Sequence, residues 1–358
     1  MKTKIVFTGG HHNSSLEVAK KLEKLGYEIH WIGHKFAAKG DKSLSAEYQE
    51  VTSAGFPFYI LKTGKFYRQN PFAFFLILFG LVQAFFYLIK IRPKVIVSFG
   101  GYLAVPVVIS GWLLRIKSLT HEQTVIAGWA NKAIAPFVQK ILLTHPSSLN
   151  NYPKEKTLVV GLPLRSEILD PSYKKQFDPP LLYISCGKQG SHLINQAIFP
   201  IIPELVNLFT VVHQTGANTL YKDLDRARRV KESLGEYSNR YLYAPYYFAK
   251  DAATYLQSSK VVISRSGAHL TYELIVLGKK TIFIPISWVS HNEQLKNAQL
   301  ASKHLPSLII EEKDLDSSSL YSAIKTISTS SVSAQSKVRL PLDATQKVVK
   351  AVVELAQG

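Results

Sequence analysis

Short apolar runs alternate with longer amphipathic stretches from residue 4 to residue 310. A run of four or five apolar residues between turn signals fits a strand buried on both faces, and an amphipathic stretch fits a helix packed on it. Repeated along a chain, that alternation builds parallel α/β units. The expected strands of the first half are 4–7, 28–32, 58–61, 95–99, 118–121, 141–144 and 158–160. Those of the second half are 181–185, 209–213, 240–243, 261–264, 281–284 and 308–310. A polar stretch with three prolines, 170–180, separates the two series. A chain of 358 residues has room for two domains with separate cores. The expected division is 1–168, 169–340 and a C-terminal docking helix in 341–358, where Val348, Val352 and Leu355 keep helical spacing. Both halves open with a strand entering a glycine turn. The fold class is therefore α/β: two Rossmann-like parallel-sheet domains, expected to face a central cleft.

Composition narrows the partners. The net charge of +18 calls for a polyanionic partner or an anionic surface. No zinc finger and no aromatic-rich strand pair is visible, so the charge favours anionic lipid, with no nucleic acid as partner. Cys186 is the single cysteine, which excludes a disulfide framework and any cysteine-based zinc site and suits a reducing compartment. The first residues carry too short an apolar run for a signal peptide and suit a first strand. Oligomeric state is not readable.

Residues 72–89 are the most apolar segment, with Gln83 as their only strongly polar member. Length alone makes this a marginal membrane span. Lys62, Lys65 and Arg68 precede it and Lys90, Arg92 and Lys94 follow, so no charge asymmetry orients it. A span here would also put strands of one sheet on opposite sides of a bilayer. The segment reads instead as a helix with one face on the sheet and the other in the lipid interface. Phe75, Leu78, Phe79, Val82, Phe85 and Phe86 are the expected membrane contacts. A fully buried core helix is the competing expectation.

Three strand-to-glycine junctions suit phosphate chemistry: Thr8-Gly9-Gly10-His11, Gly100-Gly101, and Gly187-Lys188-Gln189-Gly190. Glycine ahead of a helix lets backbone N–H groups approach an anion, and the helix dipole favours the charge. Neither the dinucleotide fingerprint nor the Walker pattern is present. Arg265 stands at a strand end in Ser264-Arg265-Ser266-Gly267-Ala268, where it could pair with a diphosphate. Glu273 follows on the next helix and could accept both hydroxyls of a ribose. The segment from His291 through Glu293 and Gln294 to Asn297 clusters groups suited to sugar hydroxyls.

His121-Glu122-Gln123, Ala127-Gly128 and Asn131-Lys132 resemble the HEQN-x-x-AG-x-x-NK block of the MurG-type transferases. These add N-acetylglucosamine to the lipid-linked muramyl-pentapeptide of peptidoglycan. In the same order, Thr8 to His11 resembles the family's TGGH, Gly100-Gly101-Tyr102 its FGGY, and Gly161 to Arg165 its GNPVR. Gly187 to Gly190 resembles GSQG, His213-Gln214-Thr215-Gly216 resembles HQSG, and Arg265 to Ala268 resembles RSGA. The resemblance spans roughly residues 4 to 315. It implies the twin-Rossmann architecture called GT-B, inversion at the anomeric carbon, UDP-N-acetylglucosamine as donor, no metal or other cofactor, and a peripheral place on the cytoplasmic face of the membrane. It also implies that Glu273 holds the ribose, that Gln294 and Asn297 contact the sugar, and that Arg165 and Arg265 lie near the diphosphate. His11 falls on the acceptor side with Gly9, Gly10, Gly100, Gly101, Glu122 and Thr124. It is the expected general base, since an imidazole titrates near neutral pH; His12 beside it could compete, and Glu122 is next. Two D-x-D matches, Asp223-Leu224-Asp225 and Asp314-Leu315-Asp316, lie in polar contexts and read as coincidence.

Four departures bear on the acceptor and the sugar. Thr124 replaces an asparagine, and His12-Asn13-Ser14-Ser15 follows the first turn where apolar residues and a proline are usual. Lys188 replaces a serine and adds charge beside the diphosphate loop, and Glu293 replaces a glutamine, exchanging an amide donor for an acceptor. Three alternatives therefore stay open: a transferase acting on another polyprenyl or diacylglycerol lipid, a non-catalytic UDP-sugar-binding protein, and a UDP-sugar 2-epimerase.

Overall fold

The computed structural model describes residues 2–36, 44–64, 71–124, 127–185, 187, 189–286, 292–330 and 341–358, with backbone alone at 71–74. Lys65, Arg68, Cys186, Lys188 and His291, named above, lie outside the described residues. The chain forms two compact units, Met1–Leu164 with Leu340–Gly358, and Arg165–Arg339.

The first unit holds a sheet of β1 (Lys4–Thr8), β2 (Glu28–Gly33), β3 (Phe58–Ile60), β4 (Val95–Ser98), β5 (Lys117–Glu122), β6 (Lys140–Leu143) and β7 (Thr157–Val159). Their order is β3-β2-β1-β4-β5-β6-β7 and every pairing is parallel. The second unit holds β8 (Leu181–Ser185), β9 (Thr210–Gln214), β10 (Tyr241–Ala244), β11 (Ser259–Ser264), β12 (Lys280–Phe283) and β13 (Ser307–Ile309). These are ordered β10-β9-β8-β11-β12-β13, again all parallel. Strand order reverses between β1 and β4 in one sheet and between β8 and β11 in the other. Ligands of open α/β sheets bind at such reversals, beyond the carboxyl ends of the strands.

The apolar runs become strands because helices cover both faces of each sheet. On one face of the first sheet, Phe7, Val97 and Leu142 pack with Leu16 and Leu22 of helix His12–Lys24 and with Val348 and Val352 of helix Ala344–Gln357. Each such apolar side chain contributes about 1.5–3 kcal/mol on full burial. The C-terminal helix thus completes the core of the unit that contains the N-terminus. On the other face, Val6, Ile96 and Ile141 meet Leu88 and Ile91 of helix Pro71–Ile91 and Val107 and Val108 of helix Ala104–Leu113.

Helix Pro71–Ile91 has two apolar faces of different fate. Ala84, Leu88 and Ile91 are buried, whereas Phe75, Leu78, Phe79, Val82 and Phe86 are exposed and Phe85 is half-buried. The competing expectation of a fully buried helix fails on that exposure. Gln83 sits between the faces: its Nε2 donates to the Ile60 carbonyl at 3.0 Å, and its Oε1 accepts from the Lys62 amide at 2.8 Å. The segment's one strongly polar side chain therefore caps the end of β3 and leaves the outer face apolar. Among the described residues no helix is long and apolar enough to cross a membrane. β3 and β4 flank this helix in sequence and belong to one sheet, which a single crossing would not allow.

The segment expected to be a polar connection docks on the second unit. Within 170–180, the Lys175 amide donates to Ser258 Oγ at 2.8 Å and the Asp170 carbonyl accepts from the Gln257 amide at 2.8 Å; just before it, the Glu167 carbonyl accepts from the same amide at 2.8 Å.

Candidate active site

In the first unit the reversal point is closed by interlocked glycines. The Gly10 amide donates to the Gly100 carbonyl at 3.0 Å. Gly9 has φ +126°, and a Cβ there would stand 2.8 Å from the backbone of Phe99 and Gly100. No other residue lets the turns after β1 and β4 approach so closely. Beyond Gly100, the Asn131 amide would lie 2.7 Å from any added Cβ. Asn131 is itself held by Glu122, to which its Nδ2 donates at 3.0 Å.

His11 follows this junction and is exposed. Its Nδ1 lies 3.0 Å from the Phe99 carbonyl. A carbonyl only accepts, so Nδ1 carries a proton and donates it, which in the neutral ring leaves the lone pair on Nε2. His12 is different: it is buried, with Nε2 3.0 Å from the Glu50 carboxylate. The polar residues after the turn are also accounted for. Ser14 Oγ donates to the Pro163 carbonyl at 2.8 Å, and Ser15 Oγ lies 3.1 Å from the carbonyls of His11 and His12. Of the two adjacent imidazoles, only His11 reaches solvent.

Glu122 is buried, and donors surround both of its oxygens. Oε2 accepts from the Gly128 amide at 2.6 Å, Asn131 Nδ2 at 3.0 Å and Tyr152 Oη at 2.8 Å. Oε1 accepts from Thr124 Oγ1 at 3.0 Å and from its amide at 3.3 Å. Burial, then the neighbouring carboxylate, pushes the Tyr152 phenol far above its ordinary range, which keeps it a donor. Such a carboxylate anchors a loop and has little capacity left to take a proton from an incoming hydroxyl. Thr124, the departure from asparagine, is thus a ligand of Glu122. His121 next to it is fully buried; its Nε2 meets the Gly161 carbonyl at 2.9 Å, and burial lowers its pKa to about 4.

In the second unit the turns after β8 and β9 interlock. A Cβ on Gly216 would lie 2.0 Å from Gly190 Cα, and one on Gly190 would lie 2.3 Å from the Thr215 carbonyl. Gln214 Nε2 donates to the Gly187 carbonyl at 2.8 Å, and the Asn218 amide to that of Gln189 at 3.3 Å. Across the reversal point, Arg265 leaves the end of β11 and its Nη2 donates to Ser191 Oγ at 2.6 Å. Its Nη1 donates to the Ile284 carbonyl at 2.9 Å, and Nη2 pairs with Glu312 at 2.7 Å. The guanidinium braces three segments around the junction. Helix Ala268–Leu277 begins beside it, and Gly267, its N-cap, has open space at its Cβ position.

Glu273 is 0% exposed and is clamped by Arg165, whose Nε and Nη2 donate to its two oxygens at 2.7 and 2.6 Å. Burial opposes the Arg165 charge, but the carboxylate prevails and raises the guanidinium's pKa. His269 Nδ1 is 3.3 Å from the same carboxylate. Two residues expected to bind donor groups separately are therefore bound to each other. Ser266 is buried and its Oγ donates to the Gln294 carbonyl at 2.7 Å. Asn297 is 1% exposed and its Nδ2 donates to the Ser266 carbonyl at 3.0 Å, so its described role is to hold this turn. Gln294 is half-buried, with Oε1 accepting from the Ile286 amide at 3.1 Å; Glu293 and Ala268 open their helices nearby.

The pairing of residues distant in sequence was not readable beforehand: Glu50 with His12, Tyr152 with Glu122, Ser191 and Glu312 with Arg265. Asp223 of the first D-x-D match is buried and bonded to His192 and Asn195, and Asp225 lies 3.4 Å from Arg228. Among the described residues no group of three or more His, Cys, Asp or Glu side chains is arranged to hold a metal ion.

Known proteins share the sequence pattern and the fold. The glycosyltransferase family 28 N-terminal domain matches residues 6–143, and the family 28 C-terminal domain matches residues 181–354. A UDP-N-acetylglucosamine--N-acetylmuramyl-(pentapeptide) pyrophosphoryl-undecaprenol N-acetylglucosamine transferase of Clostridium tetani is 30% identical over 331 residues, 88% of this chain and 87% of the relative. The crystal structure of MurG from Acinetobacter baumannii aligns with a TM-score of 0.67 at 20% identity, covering 98% of this chain and 99% of that one. A UDP-GlcNAc 2-epimerase from Neisseria meningitidis, bound to UDP-GlcNAc, aligns with a TM-score of 0.63 at 11% identity, covering 99% and 100%. Fold alone does not part transferase from epimerase; the sequence relationship does. With both domains matched in order and a transferase related over most of its length, the chain belongs to glycosyltransferase family 28, a glycosyltransferase of GT-B-like fold related to MurG.

Proposed function

We propose that the protein transfers N-acetylglucosamine from UDP-N-acetylglucosamine to an undecaprenyl-diphospho-muramyl-pentapeptide, a step of peptidoglycan precursor synthesis. It would work as a peripheral protein on the cytoplasmic face of the membrane. The observation that carries the reading is a juxtaposition within one unit. The unit presenting His11 also exposes the apolar face formed by Phe75, Leu78, Phe79, Val82 and Phe86. A lipid-linked acceptor needs both a base and a membrane contact. Lys90 and Arg92 are exposed at the C-terminal end of that helix and Lys62 is exposed beside Gln83, and each would add about 1 kcal/mol near an anionic leaflet.

In the reaction, His11 Nε2 accepts the proton of the acceptor hydroxyl as its oxygen attacks the anomeric carbon. The bond to the UDP oxygen breaks on the opposite side, the configuration inverts, and the imidazolium returns its proton to solvent. The diphosphate gathers charge as it leaves. The N-terminus of helix Ala268–Leu277 and the glycine turn Gly187–Gly190 would stabilise it without a metal. Arg265 supports that turn through Ser191. Arg165 and Glu273 would meet the ribose and diphosphate by opening part of their mutual clamp.

A second reading, transfer to another polyprenyl or diacylglycerol lipid, draws on Thr124, whose hydroxyl is turned to Glu122 in the acceptor-side unit. Labelled UDP-N-acetylglucosamine and a short-chain analogue of the muramyl-pentapeptide diphospholipid, incubated with EDTA, test the choice. Labelled lipid with UDP released is the expected result. Transfer only to a diacylglycerol or another polyprenyl lipid would select the second reading, and isomerised donor without transfer would overturn both.

A further inference from the structure

A chain of buried polar side chains runs behind the interlocked turns of the second unit. Tyr241 Oη is 2.9 Å from His213 Nδ1, and His213 Nε2 is 2.9 Å from Asn195 Oδ1. Asn195 Nδ2 lies 2.9 Å from the Thr215 carbonyl and 2.8 Å from Asp223 Oδ2. Asp223 in turn meets His192 Nδ1 at 3.0 Å, and the His192 ring stacks on Tyr221 with centroids 4.0 Å apart.

The donors and acceptors admit one consistent direction. Asn195 Oδ1 accepts, so His213 Nε2 carries the proton and Nδ1 accepts from the Tyr241 hydroxyl. The Asn195 amide, oriented by that bond, spends its N–H groups on Thr215 and Asp223. Tyr241, His213 and Asn195 are all fully buried. Burial lowers the His213 pKa to about 3, so the imidazole stays neutral and the direction does not reverse at working pH.

Thr215 is where this chain touches the donor side. Its carbonyl would stand 2.3 Å from a Cβ on Gly190, and the next residue, Gly216, is as tightly set against Gly190. The two turns are packed backbone on backbone, so neither can move toward the other. We infer that Asn195, His213 and Asp223 are positioning residues for donor binding: they hold the Thr215–Gly216 turn so that it sets Gly190, with Gly187 and Gln189 beside it, in the arrangement a diphosphate would meet. The inference rests on the proposed donor site and adds residues that touch no substrate.

Three variants test it: Asn195→Ala, His213→Leu and His213→Gln. Glutamine keeps an N–H on one side and an acceptor on the other, whereas leucine keeps neither. UDP titration by calorimetry should show at least tenfold weaker binding for Asn195→Ala and His213→Leu, with His213→Gln within threefold of the wild type. In the transfer assay the donor KM should rise in parallel, while the acceptor KM stays within twofold. A merely structural role would lower thermal stability without that split. Folded variants that bind UDP as the wild type does would overturn the inference and leave the proposed function standing. A wild type that does not bind UDP would overturn both. Should the variants fail to fold, hydrogen exchange on the wild type decides: saturating UDP should slow the Gly190, Thr215 and Gly216 amides at least tenfold, and unchanged exchange there would refute the positioning role.

Discussion

Each unit locks one strand end to a neighbour through glycine, yet the two locks are backed differently. In the first, Gly9 meets Gly100 at the point where strand order reverses, and the next side chain outward is the exposed imidazole of His11. In the second, Gly190 meets Gly216 one strand aside from the reversal, and behind it stands the buried chain from Tyr241 to Asp223. One junction presents a titratable group. The other presents backbone, and its side chains face inward to fix that backbone. On the proposed function, the difference would suit a glycosyl transfer, which needs a base at the acceptor and a preorganised anion cradle at the donor.

The largest expected effect lies at Arg165 in the second unit. Arg165→Met removes the two-point guanidinium clamp from the buried Glu273 carboxylate, which should cost about 3–5 kcal/mol of stability. Urea unfolding followed by intrinsic fluorescence reads this, and a loss below about 1 kcal/mol would mean the clamp is not the anchor described.

Acid lability comes next and strikes both units. His121 and His213 are held neutral by burial, with pKa values of about 4 and about 3. In the unfolded chain each takes a proton near pH 6.5. The unfolded state therefore binds more protons below that pH, so both contributions are complete above pH 6.5 and fade as the pH falls towards the folded values. Between pH 6.5 and 5 each histidine should cost about 2 kcal/mol. His121→Gln and His213→Gln should each flatten the slope of urea midpoint against pH; an unchanged slope would contradict the assignment.

On the proposed function, the glycine locks should separate the two tasks at a smaller scale. Gly216→Ala forces a methyl group onto Gly190 and should weaken UDP binding about tenfold, or 1.4 kcal/mol. Gly9→Ala should spare UDP binding and raise the acceptor KM. Equal effects of both substitutions on UDP affinity would erase the distinction between the junctions. The smallest expected effect concerns the outer face of helix Pro71–Ile91. Phe79→Ser with Phe86→Ser should release the protein from anionic vesicles, with UDP affinity unchanged; retained binding in flotation would remove the membrane role of that face.

Much of the fold was legible because strands buried on both faces must be apolar throughout. The runs at 4–7, 95–99 and 181–185 could hardly be anything else. Strand order was not legible, and it is strand order that sets the turn after β1 against the turn after β4. For the same reason the motifs named His11, Arg165 and Glu273 without showing that Arg165 and Glu273, 108 residues apart, bind each other. Gln83 interrupted the apolar segment without revealing that it turns inward to Ile60. The polar residues 12–15 looked like a departure; in the fold they are held by Glu50, Pro163 and local carbonyls.

The division of labour between the junctions is tested most directly on His11→Ala, with turnover and UDP dissociation constant measured on one preparation. The account predicts a turnover lower by a factor of about 100 or more and UDP affinity within about twofold of the wild type. Nearly full turnover, or UDP affinity lost together with activity, would contradict it.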